Sequence, residues 1–202
     1  MIIKLNSFIL PTNIIKKMED QIDRTLTTRI EHGFNICNYN GDLIDKDECT
    51  GDICEIKLKK ECSNQNINPK VGDYHTHPRG NPKMSLADIK TACRLDFKCI
   101  GSIDNSIRCF TKKTVPSSKG CSLEIENIIN ETEEISKETD LLKRERSILD
   151  KLKKLPNLDV KKYNKINNEH DIKIRHHNDS VSYLIERKNL LIDTYFKEII
   201  VK

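Results

Sequence analysis

Near residue 114 the hydrophobic pattern of the chain changes, and one fold type does not accommodate both sides of the change. Before it, short apolar runs alternate with turn residues. Thr114-Val-Pro-Ser-Ser-Lys-Gly120 reads as a linker by its Pro, Ser and Gly content, and beyond it apolar residues recur at helical spacing. The expected division is a domain over 1–115, a linker over 116–122 and a helical hairpin or interaction region over 123–202. A chain of 202 residues can bury a core that needs no disulfide staples. The eight cysteines run from Cys37 to Cys121 without a Cys-x-x-Cys pair, which argues against a zinc ribbon or a thioredoxin-type site. Free thiols, many of them buried, are the expectation. A mean hydropathy of −0.60 and the lack of an apolar run near 20 residues argue against a membrane-spanning helix. Met1 to Leu10 lacks the cleavage site of a signal peptide, so a cytoplasmic location is expected.

In the first part, Met1 to Leu10 is strand-like. Pro11 and Thr12 open a helix whose apolar positions Ile14, Ile15, Met18, Ile22 and Leu26 recur at helical spacing. Arg29 to Tyr39 alternates, with Ile30, His32, Phe34 and Ile36 on one face and Glu31, Gly33 and Cys37 on the other. Asn40-Gly41 is a hairpin signal, with Asp42 to Ile44 returning. Further strands are predicted at Cys54 to Leu58 and Val71 to His75, a helix over Ser85 to Phe97, and a hairpin over Cys99 to Phe110 that turns at Asp104-Asn105. In the second part, Leu123 to Leu155 carries Ile128, Ile135, Leu142 and Leu149 seven apart. Thr132, Thr139 and Arg146 occupy the complementary seam, so a long regular coiled coil is not expected. Val181 to Val201 carries a broad apolar stripe that includes Leu184, Ile185, Ile199 and Ile200 and predicts an amphipathic helix. The Asn-, Lys- and His-rich stretch between them is open between helix and loop, with His176-His177 read as a solvated loop. A helical hairpin is the economical arrangement.

The chemistry lies in Gly72-Asp-Tyr-His-Thr-His-Pro-Arg-Gly-Asn-Pro-Lys-Met-Ser-Leu-Ala-Asp88. His75 and His77 are two apart on a strand, so their imidazoles project to one face. Ser85 and Asp88 stand three apart at the start of the next helix, a spacing that by itself describes a capping box. Two imidazoles and a carboxylate delivered by one short loop suit Zn²⁺, with a fourth tetrahedral position left for water. The metal would bring that water's pKa from about 15.7 towards about 7. Asp73 and Arg79 flank the site as candidates for orienting a ligand or the substrate.

His75-Thr-His77-Pro78 followed by Ser85-x-x-Asp88 resembles the JAMM/MPN+ metalloprotease motif. The likeness covers about residues 1–115 in the order of elements and does not reach the C-terminal region. It implies an α/β domain, a cytidine-deaminase-like/JAMM mixed β-sheet flanked by helices, followed here by the C-terminal helical hairpin. It implies Zn²⁺ held by His75, His77 and Asp88, an upstream glutamate as general base, and Ser85 donating to the oxyanion. Glu31, ahead of Gly33 in the strand after the first helix, is the glutamate favoured. Glu55 is its main rival, and Glu48 and Glu61 stand in polar stretches. The reaction implied is hydrolysis of an isopeptide or peptide bond, with a ubiquitin-like protein or its conjugates as substrate and the 45–70 loop gripping it. His77-Pro78-Arg79-Gly80-Asn81-Pro82 also resembles the DNA-repair-associated RadC branch. The alternatives are therefore a RadC-like hydrolase in a nucleic-acid-associated complex and a small-amide hydrolase.

Lys143 to His177 holds 11 Lys and Arg against 5 Asp and Glu, while Leu123 to Leu142 holds seven acids against Lys137 alone. Pairing between the helices, or with a partner, explains both blocks better than phosphate binding does. The expectations are a homodimer or a protein partner through the C-terminal helices, nucleic acid as the weaker reading, and no membrane.

Overall fold

The computed structural model describes residues 3–52, 56–62, 69–80, 82–114 and 118–202. It divides into two units, Met1–Ser122 with Ile192–Lys202, and Leu123–Leu191. The first unit is mixed α/β. β1 (Ile3–Leu5) and β2 (Phe8–Leu10) pair antiparallel, and Pro11 then breaks the strand and stands at the N-cap of α1 (Thr12–Thr28). β3 (His32–Tyr39) and β4 (Asp42–Thr50) form a hairpin around Asn40 and Gly41. Both turn residues have positive φ, 51° and 97°, as a two-residue hairpin turn of type I′ requires. β5 (Lys70–His77), α2 (Leu86–Ala92), β6 (Phe97–Ser102) and β7 (Ile107–Lys112) follow, and β8 (Phe196–Ile200) returns from the C-terminal side. The six-stranded order is β4-β3-β5-β6-β7-β8. All neighbours are antiparallel except β5 and β6, which the crossover through α2 makes parallel.

The core lies between one face of this sheet and α1. Ile14, Met18 and Ile22 pack on Phe34, Ile36, Tyr74 and Phe97, all buried. The Tyr74 hydroxyl donates to the Met18 carbonyl at 2.8 Å, which satisfies a phenol that burial would otherwise strand. α2 covers the opposite face, where its Asp88 meets His75.

In the second unit, α3 (Ser118–Leu152) and α4 (Val160–Tyr195) supply a helical pair. Ile128, Leu142 and Leu149 are buried. The polar seam positions carry cross-helix bonds: Thr139 to His177 Nε2 at 2.9 Å, and Arg146 to Asn167 and Asp171. Glu131 pairs with Arg187, Glu138 with His177, and Glu145 with His170 and Lys173. Several acids of α3 thus face basic groups of α4. Among the described residues no helix is long and apolar enough to cross a membrane.

Several expectations require correction. The helix expected to reach Phe97 ends at Ala92, because Phe97 joins β6 opposite Gly72 and Thr111. Ile56 to Leu58 carries no strand, and Cys54 lies outside the described residues. The helix expected over Val181 to Val201 stops at Tyr195, and the alternating Phe196–Ile200 pairs with β7 as a strand. Strand geometry buries Phe196 and exposes Ile200, while Ile185 is exposed on α4. The stretch containing His176-His177 is helix, and His177 is buried against Glu138 rather than looped into solvent. The free-thiol expectation fails at six positions, since the structure pairs Cys37–Cys62, Cys93–Cys121 and Cys99–Cys109 as disulfides and leaves Cys49 free. Cys99 and Cys109 face each other across β6 and β7, a proximity that sequence spacing does not disclose.

In non-reducing denaturant, iodoacetamide should modify Cys49 and spare those six cysteines until reductant is added, as read by peptide mass spectrometry. Modification of any of the six without reductant would contradict its pairing.

Candidate metal centre

β3 and β5 pair with Gly33 opposite His75, Phe34 opposite Tyr74 and Asn35 opposite Asp73. Alternation along β5 sends Tyr74 and Thr76 towards α1, where Thr76 Oγ1 bonds Thr25 Oγ1. It sends Asp73, His75 and His77 to the opposite face. Gly33 is glycine for a steric reason, since a Cβ there would stand 2.9 Å from the Cβ of His75. Continued by two residues, the register sets Glu31, just ahead of β3, across from His77. The Glu31 N–H donates to the Asp52 carbonyl and its own carbonyl accepts from the Gly51 N–H, both at 2.8 Å. The backbone that carries its carboxyl is therefore held from the β4 end.

The chain after β5 returns through α2, and Ser85 is the N-cap. Ser85 Oγ accepts from the Asp88 N–H at 3.1 Å, and Asp88 Oδ2 accepts from the Ser85 N–H at 2.8 Å. This is a complete capping box, and it aims the carboxylate. Asp88 Oδ1 stands 3.2 Å from His75 Nε2, Asp88 Oδ2 stands 3.4 Å from His77 Nε2, and the two Nε2 atoms are 3.0 Å apart. Ligands on a tetrahedral ion with bonds of about 2.0–2.1 Å lie about 3.3 Å from one another. The three side chains therefore fit one small divalent cation and could hold a metal ion. Because Ser85 Oγ acts as an acceptor in the box, its hydroxyl proton is left to donate elsewhere.

Electrostatics at the centre favour ligation. Burial pushes the Asp88 carboxyl up, but His75, Lys98 and the bonds from His75 and His77 outweigh it and hold the group well below the usual range. Burial lowers His75, against the opposing pull of Asp88, so its imidazole is neutral as a ligand must be. His75 Nδ1 is buried with no hydrogen-bond partner among the described residues. Burial lifts the Glu31 carboxyl from 4.5 to about 7, with Asp88 and Asp52 adding to the rise and His77 and Lys98 opposing it.

Sequence reasoning passed over Lys98. It lies opposite Asp73 on β6, is 3% exposed, and places Nζ 2.8 Å from Asp73 Oδ1 and 3.5 Å from Asp88 Oδ1. Lys70 Nζ sits 3.0 Å from Asp73 Oδ2. A signal was present, for Phe97-Lys-Cys-Ile-Gly-Ser102 sets a lysine among apolar residues of a strand, and a buried lysine needs a counter-ion. Asp73 is that counter-ion, whereas Arg79 is exposed on the turn after β5. Of the other glutamates weighed, Glu48 is engaged by Lys17 and Arg24, Glu61 is exposed, and Glu55 lies outside the described residues. No protein-family model and no curated protein matches the chain.

Lys98→Met strips Asp73 and Asp88 of a buried cation and should cost about 3–5 kcal/mol in urea unfolding. A loss below about 1 kcal/mol would show the pair to be solvated. A second outcome follows from Glu31, whose carboxyl ionises near 4.5 when unfolded and near 7 when folded. With chelator present, this residue's contribution should fall as pH rises between those values and level off above them. Glu31→Gln lacks that slope and should exceed the parent by about 1–2 kcal/mol at pH 8. Equal stability at pH 8 would place the carboxyl in water.

Proposed function

We propose that the chain is a zinc-dependent amide hydrolase of the JAMM/MPN+ type, built on a cytidine-deaminase-like sheet, that cleaves an isopeptide or peptide bond of a ubiquitin-like protein. The observation that carries this reading is the convergence of His75, His77 and Asp88 to separations of 3.0–3.4 Å, on the sheet face to which the register assigns Glu31. The order of elements supports it: a helix, a strand preceded by Glu31, the His-x-His strand, and a helix opened by Ser-x-x-Asp. The substrate class follows from the motif resemblance.

A zinc ion, when bound, supplies Lewis acidity and an acidified water. Asp88 is an ionised carboxylate and His75 a neutral imidazole, the protonation states that ligation needs. Glu31, which changes charge near neutrality, takes a proton from the attacking water and delivers it to the leaving amine. The Ser85 hydroxyl donates a hydrogen bond to the scissile carbonyl oxygen as charge builds there. The capping bond to Oγ fixes the position from which it does so.

The test is cleavage of ubiquitin-like isopeptide conjugates by zinc-loaded protein, with and without chelator. Glu31→Gln should retain zinc and lose roughly 10²–10⁴ in rate. Ser85→Ala should lose roughly 10²–10³. Asp88→Ala should lose the metal, read by elemental analysis. Full activity in Glu31→Gln, or undiminished zinc in Asp88→Ala, would overturn these assignments.

A further inference from the structure

The sheet face that carries the candidate centre also holds a cavity of about 530 Å³. Residues 56–60 line one side, α2 and the residues just after it line the other, and β5 and β6 form the floor. His75 and Asp88 belong to its lining, so the cavity opens directly beside the candidate metal centre. Its volume falls in the range of sites that enclose a ligand of several linked groups.

The lining is strongly basic. Lys57 and Lys60 come from one wall, Lys90 and Arg94 from the other, and Lys70 and Lys98 from the floor. Asp73 and Asp88 are the acidic lining residues, and both are committed, Asp73 to the two floor lysines and Asp88 to the histidines and the capping box. Lys59 is engaged by Asp47. The four wall cations are exposed and form no ion pair among the described residues. Cations on both walls of a cleft, unpaired among the described residues, focus a positive potential inside it. A guest carrying negative charge removes that repulsion.

The distribution of the cations selects the kind of guest. They are divided between two facing walls rather than gathered around one point, as a single phosphate would require. Among the described residues no Phe, Tyr or Trp lines the cleft, and bases of a single strand are gripped chiefly by stacking on such rings. In an extended polypeptide, successive side chains point to opposite sides, so adjacent acidic residues meet the two walls in turn. We propose that this cleft binds an acidic polypeptide segment and thereby selects substrates with Asp or Glu side chains close to the scissile amide. The link to a scissile bond rests on the amide-hydrolase reading, whereas the preference for an acidic peptide rests on the lining alone.

The test uses the full chain and a fluorescein-labelled hexaglutamate peptide, with binding read by anisotropy in the presence of chelator so that turnover plays no part. Hexaglutamate should bind, a Gly-Ser hexamer should not, and raising salt from about 50 to about 200 mM should weaken the complex. Lys57→Gln with Lys60→Gln, and Lys90→Gln with Arg94→Gln, should each weaken binding on the order of tenfold. Lys151→Gln with Lys153→Gln, on exposed positions at the end of the helical pair's first arm, should leave it unchanged. All these side chains are exposed, and circular dichroism checks that each variant folds. Equal binding by all variants overturns the proposal, as does tighter binding of an eight-residue oligothymidylate or of inorganic phosphate. Isopeptide cleavage without hexaglutamate binding removes the cleft and spares the hydrolase reading. Hexaglutamate binding by a zinc-loaded protein that cleaves no amide does the reverse.

Discussion

Gly33 lies opposite His75 in the β3–β5 ladder, and a slip of one residue in that pairing would turn an entire strand's side chains to the other face of the sheet. Glu31, His75 and His77 depend together on its being right. The register is pinned from the core side. Phe34 and Tyr74, directly paired, pack with ring centroids 5.3 Å apart and planes tilted by 40°, and Tyr74 is tied to α1 through the Met18 carbonyl. The same alternation that buries these aromatics on one face delivers the imidazoles to the other. Hydrophobic burial on α1 thus sets the geometry of polar groups it never touches.

The second layer of organisation is electrostatic. Asp73 and Lys98 are adjacent partners on the parallel strands β5 and β6, and both are almost wholly buried. Isolated, either charge would cost several kcal/mol. Paired, they form a floor that also reaches Asp88. Burial pushes Lys98 down, but Asp73 and Asp88 raise it above the ordinary lysine range, so the cation persists. A carboxylate beside a permanent cation stays ionised, and a carboxylate in a capping box stays oriented. Asp88 has both constraints, while the His77 side chain is more open to solvent.

Much of this was legible from residues. His75, His77, Ser85 and Asp88 announce a strand, a loop and a capped helix start, because side-chain alternation and capping are local rules. The faces of β3 were readable for the same reason, as was the Asn40-Gly41 turn. What escaped prediction was non-local. Lys98 acquires its meaning only from Asp73 on another strand, and Cys99 and Cys109 only from a hairpin register. Phe196 to Ile200 is apolar enough to continue a helix. It becomes a strand because β7 offers an unpaired edge, a fact absent from the segment itself. Thr139 and Arg146 looked like faults in a helical seam and turn out to carry its cross-helix bonds.

That late strand sets a condition on how the sheet is finished. Arg108 on β7 pairs with Ile200 on β8, and the whole of α3 and α4 lies between them in the chain. An antiparallel helical pair is rich in local contacts and can form early. Once formed, it brings its own two ends together, so the intervening chain closes as a short link rather than a long loop. During synthesis, β7 nonetheless waits for the seconds that translation of both helices takes at about 5–20 residues per second. Throughout that interval its hydrogen-bonding edge is open to any extended chain nearby. The speed at which the ribosome traverses the helical arm therefore governs how long the nascent sheet is exposed to mispairing.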